Sequence, residues 1–251
     1  DEAVRLLAGC DLRPVAPSVP LHAGPLVLEA RGLSYVYPEG TAGLTDVDLE
    51  VRQGEVVAIL GRNGSGKTTL ARNLAGLLQP TGGAVHVNGH RVGDRGGGRP
   101  GTEIGYIFQN PDHQIFAETV QEEVGFGPRN LGCPPAQVSE RAAEALATVG
   151  LAGREGEDPF SLSRGDRQRL AVASALAARP GILLFDEPTT GLDAPSIGAM
   201  MDLVDALAAS GHTVVFITHS VDLAARHAGR LVLLEGGRIL RNAPPREVLH
   251  D

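Results

Sequence analysis

The feature that limits the possible folds of this sequence most strongly is an apolar run that leads into a glycine-rich loop. The run Val56–Leu60 has the length of a buried strand, and residues 61–68 read GRNGSGKT. This matches the pattern G-x-x-x-x-G-K-[ST], which needs a strand before it and a helix after it. Leucines at helical spacing follow the loop, at Leu70, Leu74, Leu77 and Leu78. Because the glycines let backbone N–H groups and a helix N-terminus face an anion, we predict a phosphate-binding loop in an α/β core.

The use of lysine supports this prediction. Lys67 is the only lysine in the chain, and every other basic side chain apart from histidine is arginine. A lysine ammonium is a compact point charge on a thin stem, which suits the space inside such a loop. In this motif the lysine reaches the β- and γ-phosphates, and the hydroxyl of the following residue, here Thr68, ligates Mg²⁺. The loop therefore predicts binding of a triphosphate with Mg²⁺.

Two later strands predict the rest of an active site. The apolar run 182–185 ends in Asp186 and Glu187, and the run 214–217 ends in Thr218 and His219. At the carboxyl edge of a sheet, Asp186 suits Mg²⁺, and Glu187 can orient or deprotonate a water molecule. If the two strands are neighbours, His219 comes near the γ-phosphate. The alternatives are a solvated turn at the acids and a structural histidine.

Composition excludes several classes of protein. The formal charge is −8 and no basic stripe is present, so we do not expect a nucleic-acid partner. The longest apolar runs are strand-sized, whereas a membrane span needs roughly 18 apolar residues or more. Cys10 and Cys133 lie far apart without metal-ligand spacing, which predicts reduced thiols. We expect a soluble cytoplasmic protein that acts at the inner face of a membrane through a partner.

The pattern along the chain predicts one large domain after a short leading segment. Residues 1–25 form a helical stretch and a proline-rich linker, and 26–251 form the domain. Alternating apolar residues after position 26 predict antiparallel strands, and residues 94–101 predict a flexible excursion. A helical insertion is expected at about 110–175. Strand and helix then alternate, which is typical of a parallel sheet.

In this order the motifs resemble the ABC transporter ATPases over about residues 26–251. The residues that carry the resemblance are the loop 61–69, Gln109, the segment 162–166 (LSRGD), Asp186, Glu187, the segment 191–193 (GLD) and His219. The resemblance implies a P-loop NTPase core with an N-terminal antiparallel β lobe and an inserted helical subdomain. It also implies ATP hydrolysis in a head-to-tail dimer, with a second ATPase domain that is identical, different or fused to this chain.

The family roles transfer by position. Gln109 would touch the metal ion together with Thr68 and Asp186, Glu187 and His219 would be catalytic, and Asp193 would communicate between the two sites. Ser163 and Gly165 would cover the nucleotide of the other subunit, and Tyr37 would stack on adenine, unless it only packs in the β lobe. The remaining nucleotide contacts would come from Gly61, Arg62, Asn63, Gly64, Ser65, Gly66, Lys67, Thr68 and Thr69.

A narrower resemblance lies in residues 108–132, which look like the ATPases of energy-coupling-factor importers, including the cobalt and nickel group. In that group this region reaches a transmembrane coupling subunit, and a separate membrane subunit selects the solute, a metal ion or a vitamin. The chain begins without methionine and its two ends resemble parts of one helix. We therefore expect half of a fused double ATPase.

One departure leaves the signature segment open to two interpretations. The usual LSGGQ is LSRGD here, with Arg164 and Asp166 replacing Gly and Gln. Arg164 either stabilises phosphate charge or obstructs closure, and Asp166 should weaken phosphate capture unless Arg164 or Arg167 neutralises it. The alternative function is a degenerate, ATP-binding regulatory half with weak turnover. A DNA-repair ABC module is disfavoured, because fewer than 100 residues separate Lys67 from Ser163 and no heptad run lies between them.

Overall fold

The computed structural model describes residues 24–94 and 100–249. The described residues form two compact units: one contains those up to Pro100 and those from Val204 onward, and the other is Gly101–Leu203. The predictions for the leading segment and for most of the excursion at 94–101 lie outside the described residues.

The first unit contains an antiparallel sheet. Its strands are β1 (Leu26–Val36), β2 (Ala42–Arg52), β4 (Gly82–Val87) and β5 (His90–Arg91), in the order β2-β1-β4-β5. Along β2 the apolar residues alternate with exposed polar ones, as expected for a sheet with one covered face. The buried apolar side chains of β2 are Leu44, Val47, Leu49 and Val51. The antiparallel strands predicted after residue 26 are therefore confirmed.

A parallel group of strands follows in the same unit. β3 (Val56–Leu60) lies between β8 (Thr213–Thr218) and β9 (Arg230–Glu235), parallel to both. β10 (Arg238–Ala243) pairs antiparallel with β9. The sequence predicted no strand after the run 214–217, but β9 extends the sheet on the other side of β3. Three helices accompany these strands, α1 (Lys67–Leu74), α7 (Val221–His227) and α8 (Pro245–Leu249).

The second unit is mostly helical. It contains the parallel pair β6 (Ile104–Ile107) and β7 (Ile182–Asp186). Helix α2 (Pro100–Glu103) precedes β6, and α6 (Ala194–Ala209) follows β7; the chain passes between the units at the first residue of α2 and within α6. Between the strands lie the mutually packed helices α3 (Val120–Asn130), α4 (Pro135–Thr148) and α5 (Arg164–Ala177), with short 3-10 helices at Pro111–His113 and Pro159–Ser161. None of the helices in the described parts of the chain is long and apolar enough to span a bilayer.

A buried ion pair joins strands of the first unit. The Arg230 guanidinium on β9 lies 2.6 Å from the Glu55 carboxylate, with side-chain exposures of 8% and 7%. The same guanidinium donates to the Glu50 carbonyl oxygen at 2.6 Å and to Asn242 Oδ1 at 2.9 Å. Because these acceptors belong to β2, β10 and the turn before β3, one cation connects both sheets of the unit.

Replacing Arg230 with methionine should destabilise the fold strongly, because Glu55 would keep a buried charge without its cation. The expected loss is roughly 3–5 kcal/mol in the free energy of unfolding, measured by chemical denaturation. The matched control is Arg226→Met, which breaks the exposed pair with Asp222 and should cost less than about 1 kcal/mol. Equal effects of the two substitutions would contradict the structural role of Arg230.

Candidate active site

The glycine-rich loop of the first unit connects β3 to α1 through backbone that only glycine adopts easily. Gly66, the residue before α1, has φ 102°, and a Cβ there would lie 2.6 Å from the Gly43 carbonyl oxygen. A Cβ on Gly61 would lie 2.3 Å from the Leu234 carbonyl oxygen. Neither position has room for a side chain, and Gly66 also has a left-handed backbone, so the loop shape depends on the absence of side chains.

The Lys67 ammonium lies inside this loop. Its Nζ donates to the carbonyl oxygens of Gly61 at 2.9 Å and Arg62 at 3.0 Å, and the residue is only 5% exposed. The Ser65 hydroxyl oxygen is buried without a hydrogen-bond partner among the residues described. A buried cation, an unpaired hydroxyl and a helix N-terminus together form a cradle that fits an anionic phosphate chain.

Tyr37 lies beside the helix that follows the loop. Its hydroxyl and the Thr69 hydroxyl are 2.6 Å apart, and its ring meets Tyr35 edge to face at 4.9 Å. A Cβ on Gly43 would come within 2.8 Å of Tyr37 Cε2, so the ring also packs against this glycine. The aromatic side chain is thus fixed next to the phosphate loop, and part of its surface is exposed.

His219 comes from the same sheet edge as the loop. Strands β3 and β8 are parallel neighbours, and their last residues, Leu60 and Thr218, are paired. Gly61 and His219 are therefore the first residues after the two strand ends. His219 is exposed. The next residue, Ser220, caps helix α7 through its Oγ, which accepts from the Leu223 N–H at 3.3 Å. The predicted histidine therefore lies at the end of the strand next to the phosphate loop.

In the second unit, Asp186 is the last residue of β7 and is almost completely buried, with 2% exposure. Its Oδ2 accepts a hydrogen bond from the Tyr106 hydroxyl at 2.7 Å. Sequence reasoning missed Tyr106, because the four-residue strand β6 that carries it is too short to give a clear alternation. Since β6 and β7 are parallel, Tyr106 lies on the neighbouring strand, where it orients the carboxylate.

Glu187 follows Asp186 in a backbone conformation that is unusual for a residue with a side chain, with φ 49°. Its Oε2 accepts from Gln109 Nε2 at 3.2 Å and from the Thr190 hydroxyl at 3.0 Å. Gln109 was predicted from the resemblance, whereas Thr190 was missed because a threonine in a turn carries no distinctive signal. The structure thus brings the glutamine and the second acid together at one sheet edge.

The signature segment and Asp193 meet at the start of helices α5 and α6. The Ser163 hydroxyl accepts from the Asp166 N–H at 3.1 Å and caps α5. Asp193 Oδ1 accepts from the Ser196 N–H at 3.0 Å, and hydrogen bonds from Ser196 lower the pKa of this carboxyl. A Cβ on Gly165 would lie 2.9 Å from the Ser196 hydroxyl. Glycine at 165 therefore allows close approach between the two helix starts.

Neither Arg164 nor Arg167, the two cations considered from the sequence, forms the ion pairs of Asp166. Asp166 is paired with Arg154 at 2.9 Å and with Arg169 one helical turn away. Burial raises the pKa of the Asp166 carboxyl, but hydrogen bonds with Arg169, Ser163 and Arg154 outweigh it, and the pKa lies below its ordinary value. Arg167 pairs with Asp112 at 2.8 Å instead. The added anion is therefore compensated by cations that sequence reasoning did not select.

The predicted site residues are divided between the two units. The first unit holds Tyr37, the loop residues 61–69 and His219. The second unit holds Gln109, Ser163, Gly165, Asp186, Glu187 and Asp193. Each group lies at strand ends or helix starts, where backbone N–H groups and carboxylates are available to a ligand.

Comparison with known proteins identifies the family. The ABC transporter family matches residues 44–190. A putative ABC transporter ATP-binding protein of Caldanaerobacter subterraneus subsp. tengcongensis is 48% identical over 91% of this chain, which spans 40% of that protein. The energy-coupling factor transporter ATP-binding protein EcfA of Methanothermobacter thermautotrophicus is 40% identical over 90% of this chain and 73% of its own length.

Solved structures agree with this assignment. The ATPase cbiO1 of Clostridium perfringens, part of the ABC transporter complex cbiONQ, has a TM-score of 0.81 and 31% identity, covering 90% of this chain and 91% of its own. An ATP-binding cassette, solved as a dimer in a post-hydrolysis state with ADP and Pi, has a TM-score of 0.77 and 30% identity. The match covers 87% of this chain and 99% of that chain. The predicted ABC ATPase fold is confirmed. The chain belongs to the ABC transporter family, as one of its ATPase domains.

Proposed function

We propose that this chain binds ATP with Mg²⁺ and hydrolyses it as the ATP-binding part of an energy-coupling-factor importer. The observation that carries the proposal is the carboxylate of Glu187, which two donors orient at the strand end directly after the buried Asp186. A chain that combines this acid pair with a lysine-containing phosphate loop has the groups needed to bind a triphosphate and to orient water.

The phosphate loop would bind the triphosphate through its backbone N–H groups and the Lys67 ammonium. Thr68, Gln109 and Asp186 would hold Mg²⁺, which neutralises charge on the phosphates when bound. Among residues 24–94 and 100–249 no three His, Cys, Asp or Glu side chains cluster as an all-protein metal site.

Hydrolysis would use Glu187 and His219. Glu187 orients a water molecule and accepts its proton as the water oxygen bonds to the γ-phosphorus, while the bond from that phosphorus to the bridging oxygen breaks and ADP leaves. His219 contacts the γ-phosphate, and Tyr37 stacks on the adenine. The hydrogen bond between the Tyr37 and Thr69 hydroxyls supports stacking by Tyr37, because it fixes the ring beside helix α1, which follows the phosphate loop.

A second ATPase domain would complete the site. Ser163, Gly165 and Asp193 face the nucleotide of the other subunit in this proposal. The exposure of Ser163 and Asp193 is compatible with such a contact. The partner is a second copy, a related chain or a fused domain. The fused form is supported by two relatives of which this chain spans only 40% and 38%, which leaves room in each for another such domain.

An exposed aromatic pair supports docking to a transmembrane coupling subunit. Phe116 and Phe126 are 59% and 40% exposed, and their rings meet edge to face at 4.7 Å. The buried Glu123 carboxylate accepts from the N–H groups of Phe116 and Ala117, both at 3.0 Å, and thereby fixes the segment that presents Phe116. Such aromatics are common anchors in protein interfaces. Through this partner the chain works at the inner face of the membrane.

The transported solute would be selected by a separate membrane subunit and not by this chain. The likeness to cbiO1 and EcfA favours the importer class that takes up metal ions, including cobalt, or vitamins. The alternative function, a regulatory half with weak turnover, is supported only by Arg164 and Asp166. The compensation of Asp166 by Arg154 and Arg169 weakens that support.

Replacing Glu187 with glutamine should separate binding from hydrolysis. The amide keeps the size of the side chain but cannot accept the proton, so turnover should fall about 100-fold or more while the affinity for ATP stays unchanged. Steady-state phosphate release and equilibrium binding of a fluorescent ATP analogue measure the two quantities. Undiminished hydrolysis by the variant would remove Glu187 as the base.

Replacing Lys67 with alanine should weaken the binding of ATP itself. Loss of the ammonium removes charge-assisted hydrogen bonds to phosphate, so the affinity for Mg·ATP should fall roughly 10- to 100-fold. The same fluorescence titration measures this change, and Glu187→Gln serves as the control that still binds. Unchanged affinity of Lys67→Ala would contradict the proposed phosphate site.

Truncating the aromatic pair should weaken membrane coupling without changing ATP binding. The double substitution of Phe116 and Phe126 by alanine should reduce co-purification of the transmembrane subunit about tenfold or more, since interface aromatics carry much of the binding energy. Leu240→Ala is the control, because Leu240 on β10 is also 51% exposed. A normal yield of the complex from the double variant would place the docking surface elsewhere.

A further inference from the structure

Arg164, one of the two residues that depart from the usual signature, turns toward a segment of its own chain. Its Nη2 donates to the Thr190 carbonyl oxygen at 3.3 Å. The guanidinium also covers Gly191, since a Cβ at that glycine would lie 3.1 Å from Arg164 Cζ and Nε and 3.2 Å from Nη2. Glycine suits position 191 because of its φ of 75°, and the arginine lies in van der Waals contact beside it.

Thr190 connects this contact to the acid at the active site. Its hydroxyl donates to Glu187 Oε2 at 3.0 Å, and its N–H donates to the Glu187 carbonyl oxygen at 3.2 Å. Thr190 therefore stabilises both the side chain of Glu187 and the turn that gives this residue its left-handed backbone. An unusual φ persists only where the surroundings fix it, and Thr190 is part of those surroundings.

The start of helix α5 contacts the segment 190–196 at a second point. Gly165 approaches Ser196 so closely that a Cβ would lie 2.9 Å from the Ser196 hydroxyl. The N–H of Ser196 in turn donates to Asp193 Oδ1 at 3.0 Å. The start of α5 therefore contacts the segment 190–196 on both sides of the Asp193 turn, at Thr190 and Gly191 through Arg164 and at Ser196 through Gly165.

We propose that Arg164 is a positioning residue that acts through Thr190 on Glu187 of the same chain. It keeps the Thr190 turn in the conformation in which the hydroxyl reaches the carboxylate, and so keeps the carboxylate aimed for water activation. The inference rests on the proposed hydrolysis by Glu187. It assigns to the LSRGD departure a function within one chain, in place of contact with the phosphate of a partner's nucleotide.

Steady-state kinetics of four variants test the assignment. Arg164→Ala should lower kcat about tenfold and leave KM for ATP within about twofold, because only the orientation of the base is lost. Arg164→Lys should recover most of kcat, because an ammonium can still donate to the Thr190 carbonyl. Thr190→Val should lower kcat at least as much as Arg164→Ala. The double variant should match Thr190→Val alone, because both changes interrupt one connection.

The matched control is Arg179→Asn, which removes an exposed arginine paired with Glu144 just beyond the other end of α5. Asparagine tolerates the left-handed backbone of that position, φ 57°, so turnover should stay unchanged. A raised KM with normal kcat in Arg164→Ala would assign the arginine to nucleotide contact and overturn the proposal. Additive losses in the double variant would overturn it as well.

Amide hydrogen exchange of the nucleotide-free protein tests the same contact without any turnover. Arg164→Ala should accelerate exchange in the segment 189–192 about tenfold relative to the wild type, whereas Arg179→Asn should not. Unchanged exchange would overturn the proposal. Absence of ATP hydrolysis by the wild-type protein would instead contradict the proposed function, so the two failures are distinguishable.

Discussion

The structure of the phosphate site depends on the burial of strand β3 between two parallel neighbours. Val57 to Leu60 lose almost all contact with water, and their hydrogen bonds to β8 and β9 fix where the strand ends. The next residue is Gly61, whose closeness to the Leu234 carbonyl oxygen of β9 allows no side chain. The position of the loop is thus set by the sheet, and its shape by glycine.

Several functional positions were readable from residue types alone, because their chemistry requires a rare combination. A single lysine in a glycine-rich loop after an apolar run specifies the phosphate loop, and two acids after another apolar run specify the strand end at Asp186. Strands β6, β9 and β10 were not predicted. β6 has only four residues, β9 has a charged residue at each end, and the arginines of β10 at 238 and 241 interrupt its apolar pattern.

The partners of these residues were harder to predict, since they depend on register and helix packing. Tyr106 reaches Asp186 only because β6 pairs with β7, and Arg154 reaches Asp166, which lies twelve positions further along the chain. From the sequence, only Arg164 and Arg167 were considered as cations that could neutralise Asp166. Helix geometry instead directs Arg169 to Asp166, while Arg164 points to Thr190.

The pair formed by Tyr37 and Thr69 links two parts of the first unit that are far apart in sequence. With 2.6 Å between their oxygens, one hydroxyl hydrogen is shared in a single bond between the β1–β2 turn and the first turn of α1. A displacement of α1 at its N-terminal end must therefore carry the aromatic ring with it or break that bond. If the Tyr37 ring contacts an aromatic ligand group and the N-terminus of α1 contacts an anionic one, this hydrogen bond would couple the two contacts. A ligand with only one of these groups would then still depend on the position of both protein parts.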